Sequence, residues 1–201
     1  MDYEFANMSL PRIALRSIQE ADFPLLYQVY ASTREEELSV TPWSDAQKEE
    51  FLRMQFGAQH TYYQKYYSDA AFDVILVDGE PAGRLYLQRR DNEFRIVDIA
   101  LLPPFRGKGI GGRIMHQILG EADEAHLPVR IHVEHNNPAK HLYDRLGFKK
   151  IDNTGVYFLM ERLPSVKVCP FEDANASSSE IAPSNTSDCH KAMEGKGIRS
   201  Q

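Results

Sequence analysis

The chain has 201 residues, of which 42% are hydrophobic, and its 23 Lys and Arg stand against 29 Asp and Glu for a formal net charge of -6. That length and apolar content suit one globular domain with a real core, while the acidic balance excludes a general nucleic-acid binder, which needs a basic surplus to neutralise phosphates. No apolar run approaches the roughly 18 residues of a membrane span, and Met1 to Leu10 lacks a basic and then apolar leader, so a cytoplasmic protein without a membrane partner is expected.

Taken in order, "RIALRSI" predicts a first strand and "EADFPLLYQVYAST" a helix with Phe23, Leu26, Tyr27 and Tyr30 at helical spacing. Ser44 and Asp45 suit the cap of a second helix running through Phe51, Leu52 and Phe56 towards Tyr67. "FDVILV" and "GRLYLQ" flank the turn "DGEP", a hairpin signal, and "FRIVDIALL" is a further strand ended by Pro103 and Pro104. Ile110, Ile114, Ile118 and Met115, Leu119, Ala122 form helical stripes that end near Pro128, so an amphipathic helix packed on a sheet is expected.

"VRIHVE" then reads as a strand, "NPAKHLYDRLG" as a helix stopped by Gly147, and "FKKI" with "GVYFLMERL" as a closing strand pair. The order β-α-α-β-β-β-α-β-α-β-β is a mixed α/β layer fold, with a central, largely antiparallel sheet flanked by helices. The domain is placed at residues 1–163. Residues 164–201 are rich in Ser, Asn, Asp, Pro and Gly and predict a disordered tail. Both cysteines, Cys169 and Cys189, lie in that tail, with no spacing for zinc or a redox pair.

"FRGKGIGG", residues 105–112, joins a strand to a helix. Such a turn collects free backbone N–H groups and the positive end of a helix dipole at one point, which suits phosphate. Arg106 and Lys108 add charge fitted to a ligand with several phosphates. Gly107, Gly109 and Gly112 also satisfy G-x-G-x-x-G, with Glu134 some 20 residues on, as in a dinucleotide-binding fold. Position weighs against that: about five elements precede the loop, whereas the dinucleotide fingerprint follows the first strand of its sheet.

"RGKGIG", "NNPAKHLYDRLGF" and the element order together resemble the GNAT superfamily of acyl-CoA-dependent N-acetyltransferases, over about residues 11–163. The resemblance implies the GNAT-like fold and acetyl-CoA as acyl donor, with the pyrophosphate held by Arg106, Gly107, Lys108, Gly109, Ile110, Gly111 and Gly112. It implies that strand "IVDIALL" splays from "VRIHVE" around the pantetheine arm, so that backbone groups of Ile99, Ala100 and Leu101 can bond it. The Leu101 N–H would then face the thioester oxyanion.

Asn136 matches a cofactor-contacting Asn and also suits a helix N-cap before Pro138. Tyr143 matches the Tyr that contacts the cofactor and protonates the departing thiolate, as a phenol with a pKa near 10 in water can do at neutral pH.

The general base is left open between Asp98, Glu134 and water, with Glu93 just before the strand. Arg95 stands where many members carry a Glu, and neighbouring strand residues face opposite ways unless a bulge changes the count. Ile131 stands where enzymes of the ribosomal-protein N-terminal type often carry a Glu, which makes a peptide N-terminus a less expected acceptor. His132, Glu134, His135 and His141 cluster in sequence, but His132 and His135 have opposite strand parity and no metal is expected.

"TREEELSVTPWS" and "HTYYQKYY" supply Glu35, Glu36, Glu37, Trp43 and four tyrosines for an acceptor pocket, or simply a solvated helix face and core packing. The expected activity is acetyl transfer by direct attack of a primary amine, on a small molecule or a protein, since no cysteine lies in the domain to carry the acyl group. The alternative is a catalytically silent acyl-CoA-binding sensor or interaction module. Similar proteins are often dimeric, so a homodimer is compatible with the resemblance.

Overall fold

The computed structural model describes residues 10–165, so the C-terminal tail beyond them, with both cysteines, lies outside the described residues. Seven strands form one sheet in the order β1-β2-β3-β4-β5-β7-β6: β1 (Ile13–Ser17), β2 (Ala71–Val77), β3 (Glu80–Arg89), β4 (Phe94–Leu101), β5 (Val129–Glu134), β6 (Lys149–Asn153) and β7 (Tyr157–Arg162). All neighbours run antiparallel except β4 and β5. The expected element order and the mixed α/β class are those observed.

The helices are α1 (Phe23–Ser39), α2 (Asp45–Tyr66), α3 (Ile110–Glu124) and α4 (Lys140–Arg145). Helix α1 runs farther than its apolar spacing predicts, because the Arg-Glu-rich stretch after Thr33 continues it as good helix formers do. The Ser44 hydroxyl accepts from Gln47 N, and the Gln47 side chain accepts from Ser44 N at 2.9 Å, a capping box that fixes where α2 begins. Asp78 and Gly79 both have positive φ, the backbone a two-residue hairpin turn between β2 and β3 demands.

The sheet separates two apolar layers. Leu85 and Leu87 of β3 and Phe94 and Ile96 of β4 join Ile131, Val133 and the α3 stripe of Ile110, Ile114, Met115, Ile118, Leu119 and Ala122 in the main core. The alternate residues of β3 face the other way, where Arg84 meets Gln59 of α2 and Tyr86 meets Tyr63 of α2. Between α1 and α2, Leu26, Tyr30 and Phe56 form a second cluster. Among the described residues no helix is long and apolar enough to cross a membrane.

Candidate active site

Strands β4 and β5 pair at three positions only, Phe94 with Val129, Arg95 with Arg130 and Ile96 with Ile131. Beyond Ile96, β4 continues to Leu101 against β3 alone, while β5 continues to Glu134 against β7. The cause is local. Tyr86 pairs with Asp98 and Leu87 with Ile96, so Val97 is an extra residue on β4, a bulge that bends the strand away from β5.

Leu102 N donates to Ala82 O of the β3 side at 2.8 Å. By alternation the N–H and C=O of Leu101 and Ile99 point into the gap, whereas those of Ala100 turn towards β3. The gap is kept close to β3 by Gly83, opposite Leu101: a Cβ there would lie 2.2 Å from the Ala100 carbonyl oxygen.

At the end of β4 the glycine loop turns into α3. Gly107 (φ 70°) and Gly109 (φ 77°) are in the left-handed region, and Gly109 is the N-cap of α3 with no side-chain cap bond. The first-turn N–H groups of Ile110, Gly111 and Gly112 are therefore orphan donors at the positive helix end. Gly111 and Gly112 are not required by packing, since a Cβ on either would reach only Leu142 at ordinary contact distances of 4.0 and 3.9 Å. Two glycines in a first helical turn cost about 1 kcal/mol each relative to Ala. Open space beside these glycines and the uncapped N–H groups leave room for an anion to approach the helix start closely. The Arg106 side chain is engaged inward: Nε donates to Leu101 O at 2.8 Å and Nη2 to Ser32 Oγ of α1 at 2.6 Å, tying the loop to the mouth of the gap. Lys108 is exposed.

Tyr143, on α4, is buried and sets its ring edge-on against Phe148 at 5.7 Å. Burial first, and then the Asp98 charge, push its phenol well above the ordinary tyrosine range. Asp98 stands opposite Tyr86 on the α2 side of the sheet while Tyr143 belongs to the α3-side core, so Tyr143 and Asp98 approach from opposite faces where β4 and β5 part. Its carboxylate accepts from Arg84 Nη2 at 2.7 Å, and the same nitrogen donates to Gln59 Oε1 at 2.9 Å. Arg84 is 3% exposed. Its guanidinium pKa is raised overall: burial opposes the charge, and Asp98 is the largest of the influences that together outweigh burial. Tyr63 is also drawn upward, chiefly by burial and then by Asp98.

Glu134, at the end of β5, accepts from Arg34 Nη2 at 2.7 Å and Nη1 at 3.2 Å. Both line a cavity of about 440 Å³ together with Tyr30, Glu37, Phe51, Asn136 and Tyr157. Glu93 is elsewhere, buried on the charged face of the sheet and bonded by Arg90, Arg95 and Arg130. Ile131 sits in the core with Ile96 opposite.

One expectation is corrected. The helix cap before Pro138 is not made by Asn136: α4 begins at Lys140, and it is the Asn137 side chain that accepts from Ala139 N at 2.8 Å. Pro138 and the Asn137 turn delay the helix, which leaves Asn136 facing the cavity. His135 stacks on Phe158 at 4.0 Å and bonds Asn153 at 3.0 Å. Among the described residues no group of three or more His, Cys, Asp or Glu is placed to hold a metal. Arg34, Arg84 and Gly83 carry no local signal in the sequence, because their partners are set by sheet register and by a contact 100 residues away.

Compared with known proteins, residues 23–148 match the acetyltransferase (GNAT) family. The ribosomal protein bS18-alanine N-acetyltransferase of Haemophilus influenzae is 22% identical over 145 residues, covering 72% of this chain and 86% of that protein. The PaiA N-acetyltransferase of Thermoplasma acidophilum, solved in complex with coenzyme A, superposes with a TM-score of 0.58 at 20% identity, over 76% of this chain and 99% of its own. An acetyltransferase from Thermus thermophilus gives 0.56 at 17% identity, over 78% and 99%.

Proposed function

We propose that this chain, which belongs to the acetyltransferase (GNAT) family, transfers acetyl from acetyl-CoA to a primary amine by direct attack. The observation that carries the reading is the coincidence of two features. The β4 and β5 edges part after Ile96 and Ile131, and the uncapped, glycine-rich start of α3 opens at the same end of β4. A phosphate-bearing head at Arg106 to Gly112 and a peptide-like arm bonded by Ile99 and Leu101 would fill them in one pose.

When bound, the donor supplies an activated thioester carbonyl. The remaining chemistry falls to the chain. Leu101 N–H is aimed into the gap, where it can stabilise negative charge on the carbonyl oxygen. Tyr143 holds a proton for the departing sulfur as the C–N bond forms and the C–S bond breaks. Its raised pKa keeps it protonated throughout the neutral range, and the nearby Asp98 charge disfavours a lingering tyrosinate. The acceptor must give up a proton before or during attack; Asp98, Glu134 and water are the routes the geometry offers.

Thiol release from acetyl-CoA across an amine panel tests this, with coenzyme A binding measured by calorimetry. Tyr143→Phe is expected to lower kcat by about 100-fold or more, as removal of a general acid does, with binding retained. Full activity in that variant would remove Tyr143 from the chemistry. Binding without turnover for any amine would instead favour the silent sensor.

A further inference from the structure

The cavity beside Glu134 has a composition that narrows the acceptor beyond "an amine". Three aromatic side chains, Tyr30, Phe51 and Tyr157, share its wall with Arg34, Glu37 and Glu134. The charged set sums to one net negative charge, two carboxylates against one guanidinium.

Hydrogen-bonding capacity points the same way. Arg34 Nη1 donates to Glu37 Oε1 and Oε2 at 3.2 and 3.4 Å and to Glu134 Oε2 at 3.2 Å, while Nη2 donates to Glu134 Oε1 at 2.7 Å. The guanidinium is thus paired with two carboxylates, whose combined charge exceeds its own, which leaves it a poor receptor for an incoming carboxylate or phosphate. A carboxylate has about four acceptor sites, so each of the two glutamates that line the cavity keeps acceptor capacity to spare after bonding Arg34. Spare acceptors beside aromatic faces are what an ammonium group requires.

The amine that reacts cannot be the group satisfied there, because it must be neutral to attack. The retained charge belongs to another part of the acceptor, so Glu134 serves binding here and the proton of the reacting amine leaves through Asp98 or water.

From these observations, and resting on the transfer reaction proposed above, we infer that the preferred acceptor is a dication: an aliphatic primary amine bearing a second ammonium group, which seats between Glu37 and Glu134 against the aromatic wall. The two carboxylates outnumber the single Arg34 cation between them, so the site disfavours anionic acceptors. The volume, about 440 Å³, lies in the range of small-molecule sites.

The test uses the full chain, acetyl-CoA and three acceptors of similar length that differ only in the distal group: 1,5-diaminopentane, 1-aminohexane and 6-aminohexanoate. The diamine should be favoured over the monoamine by about tenfold or more in kcat/KM, and the amino acid should be the poorest. The preference should shrink in 0.5 M NaCl, as an electrostatic effect does.

Glu37→Gln, at a largely exposed position where folding is not at risk, should cut the diamine-to-monoamine ratio by about threefold or more, mainly through the diamine KM. Arg34→Met should raise the ratio, because it removes the competing cation; circular dichroism and retained coenzyme A binding establish that the variant is folded. Equal kcat/KM for diamine and monoamine, or a ratio untouched by Glu37→Gln, would overturn the inference while leaving acetyl transfer intact. Failure of all three amines, with coenzyme A bound, would remove both.

Discussion

Gly83→Ala is the substitution whose outcome the structure specifies most closely. The added Cβ would lie 2.2 Å from Ala100 O, 2.9 Å from Leu101 Cα and 3.0 Å from Leu101 Cδ2. The first two are backbone atoms, so no rotamer change relieves them; β3 and β4 must separate by about 1 Å to restore even a tight contact. Overpacking of this kind costs about 1–3 kcal/mol, and a backbone clash belongs at the upper end. For a domain of this size, 2–3 kcal/mol lowers Tm by about 5–10 °C.

The same displacement moves the Ile99 and Leu101 edge proposed to meet the pantetheine arm. Coenzyme A affinity, measured by calorimetry below the new Tm, should therefore fall as well. Gly120→Ala is the control: it lies within α3 with nothing within 4 Å of its Cβ, and it should stabilise by about 0.5–1 kcal/mol. A Gly83→Ala protein with Tm within about 1 °C of wild type and unchanged affinity would refute the close approach of β3 to β4 on which the site geometry depends.

Two further outcomes are expected. Arg84→Met leaves the Asp98 carboxylate in a nearly buried site without its cation, and loss of one partner of such a pair costs about 3–5 kcal/mol, readable in urea unfolding; Arg84→Met with Asp98→Asn together should recover part of it. His60 is pulled below the ordinary histidine pKa by burial and then by the Arg84 charge, so its stabilising effect is complete above about pH 6.5 and is lost as pH falls from there through the folded-state value. Unfolding free energy should decline between about pH 7 and pH 5, and His60→Phe should flatten that slope.

The elements were legible wherever one strong local pattern decided them. The α3 stripe, Ser44 with Gln47 and the Asp78–Gly79 turn all formed as their residue types dictate. The site was legible in part: the glycine loop and the Asn136 to Phe148 segment mark its place, but not its geometry. The Val97 bulge arises from the register between two strands and has no composition signal. Asp98 gives no hint of Arg84, 14 residues earlier, until the hairpin places them on one face. Arg34 and Glu134 meet only when α1 lies across the end of β5, and a glutamate-rich helix looks the same whether its arginine faces solvent or a cavity. Asn136 reads as the cap before Pro138, and only the delayed start of α4 gives the turn to Asn137 instead.

The three-rung pairing of β4 with β5 makes the sheet two panels joined by a short seam. On one side lie β1 to β4, on the other β5, β7 and β6, and across the seam the strands share only the rungs from Phe94–Val129 to Ile96–Ile131. A load that pulls the panels apart concentrates there, as in a zipper closed only at its base. A molecule seated in the open part, bonded to the free edge of β4, acts as the missing teeth. Amide exchange at Arg130, whose N–H faces β4 by alternation from the Phe94 N to Pro128 O bond, then becomes a gauge of occupancy, slowing when the slot is filled.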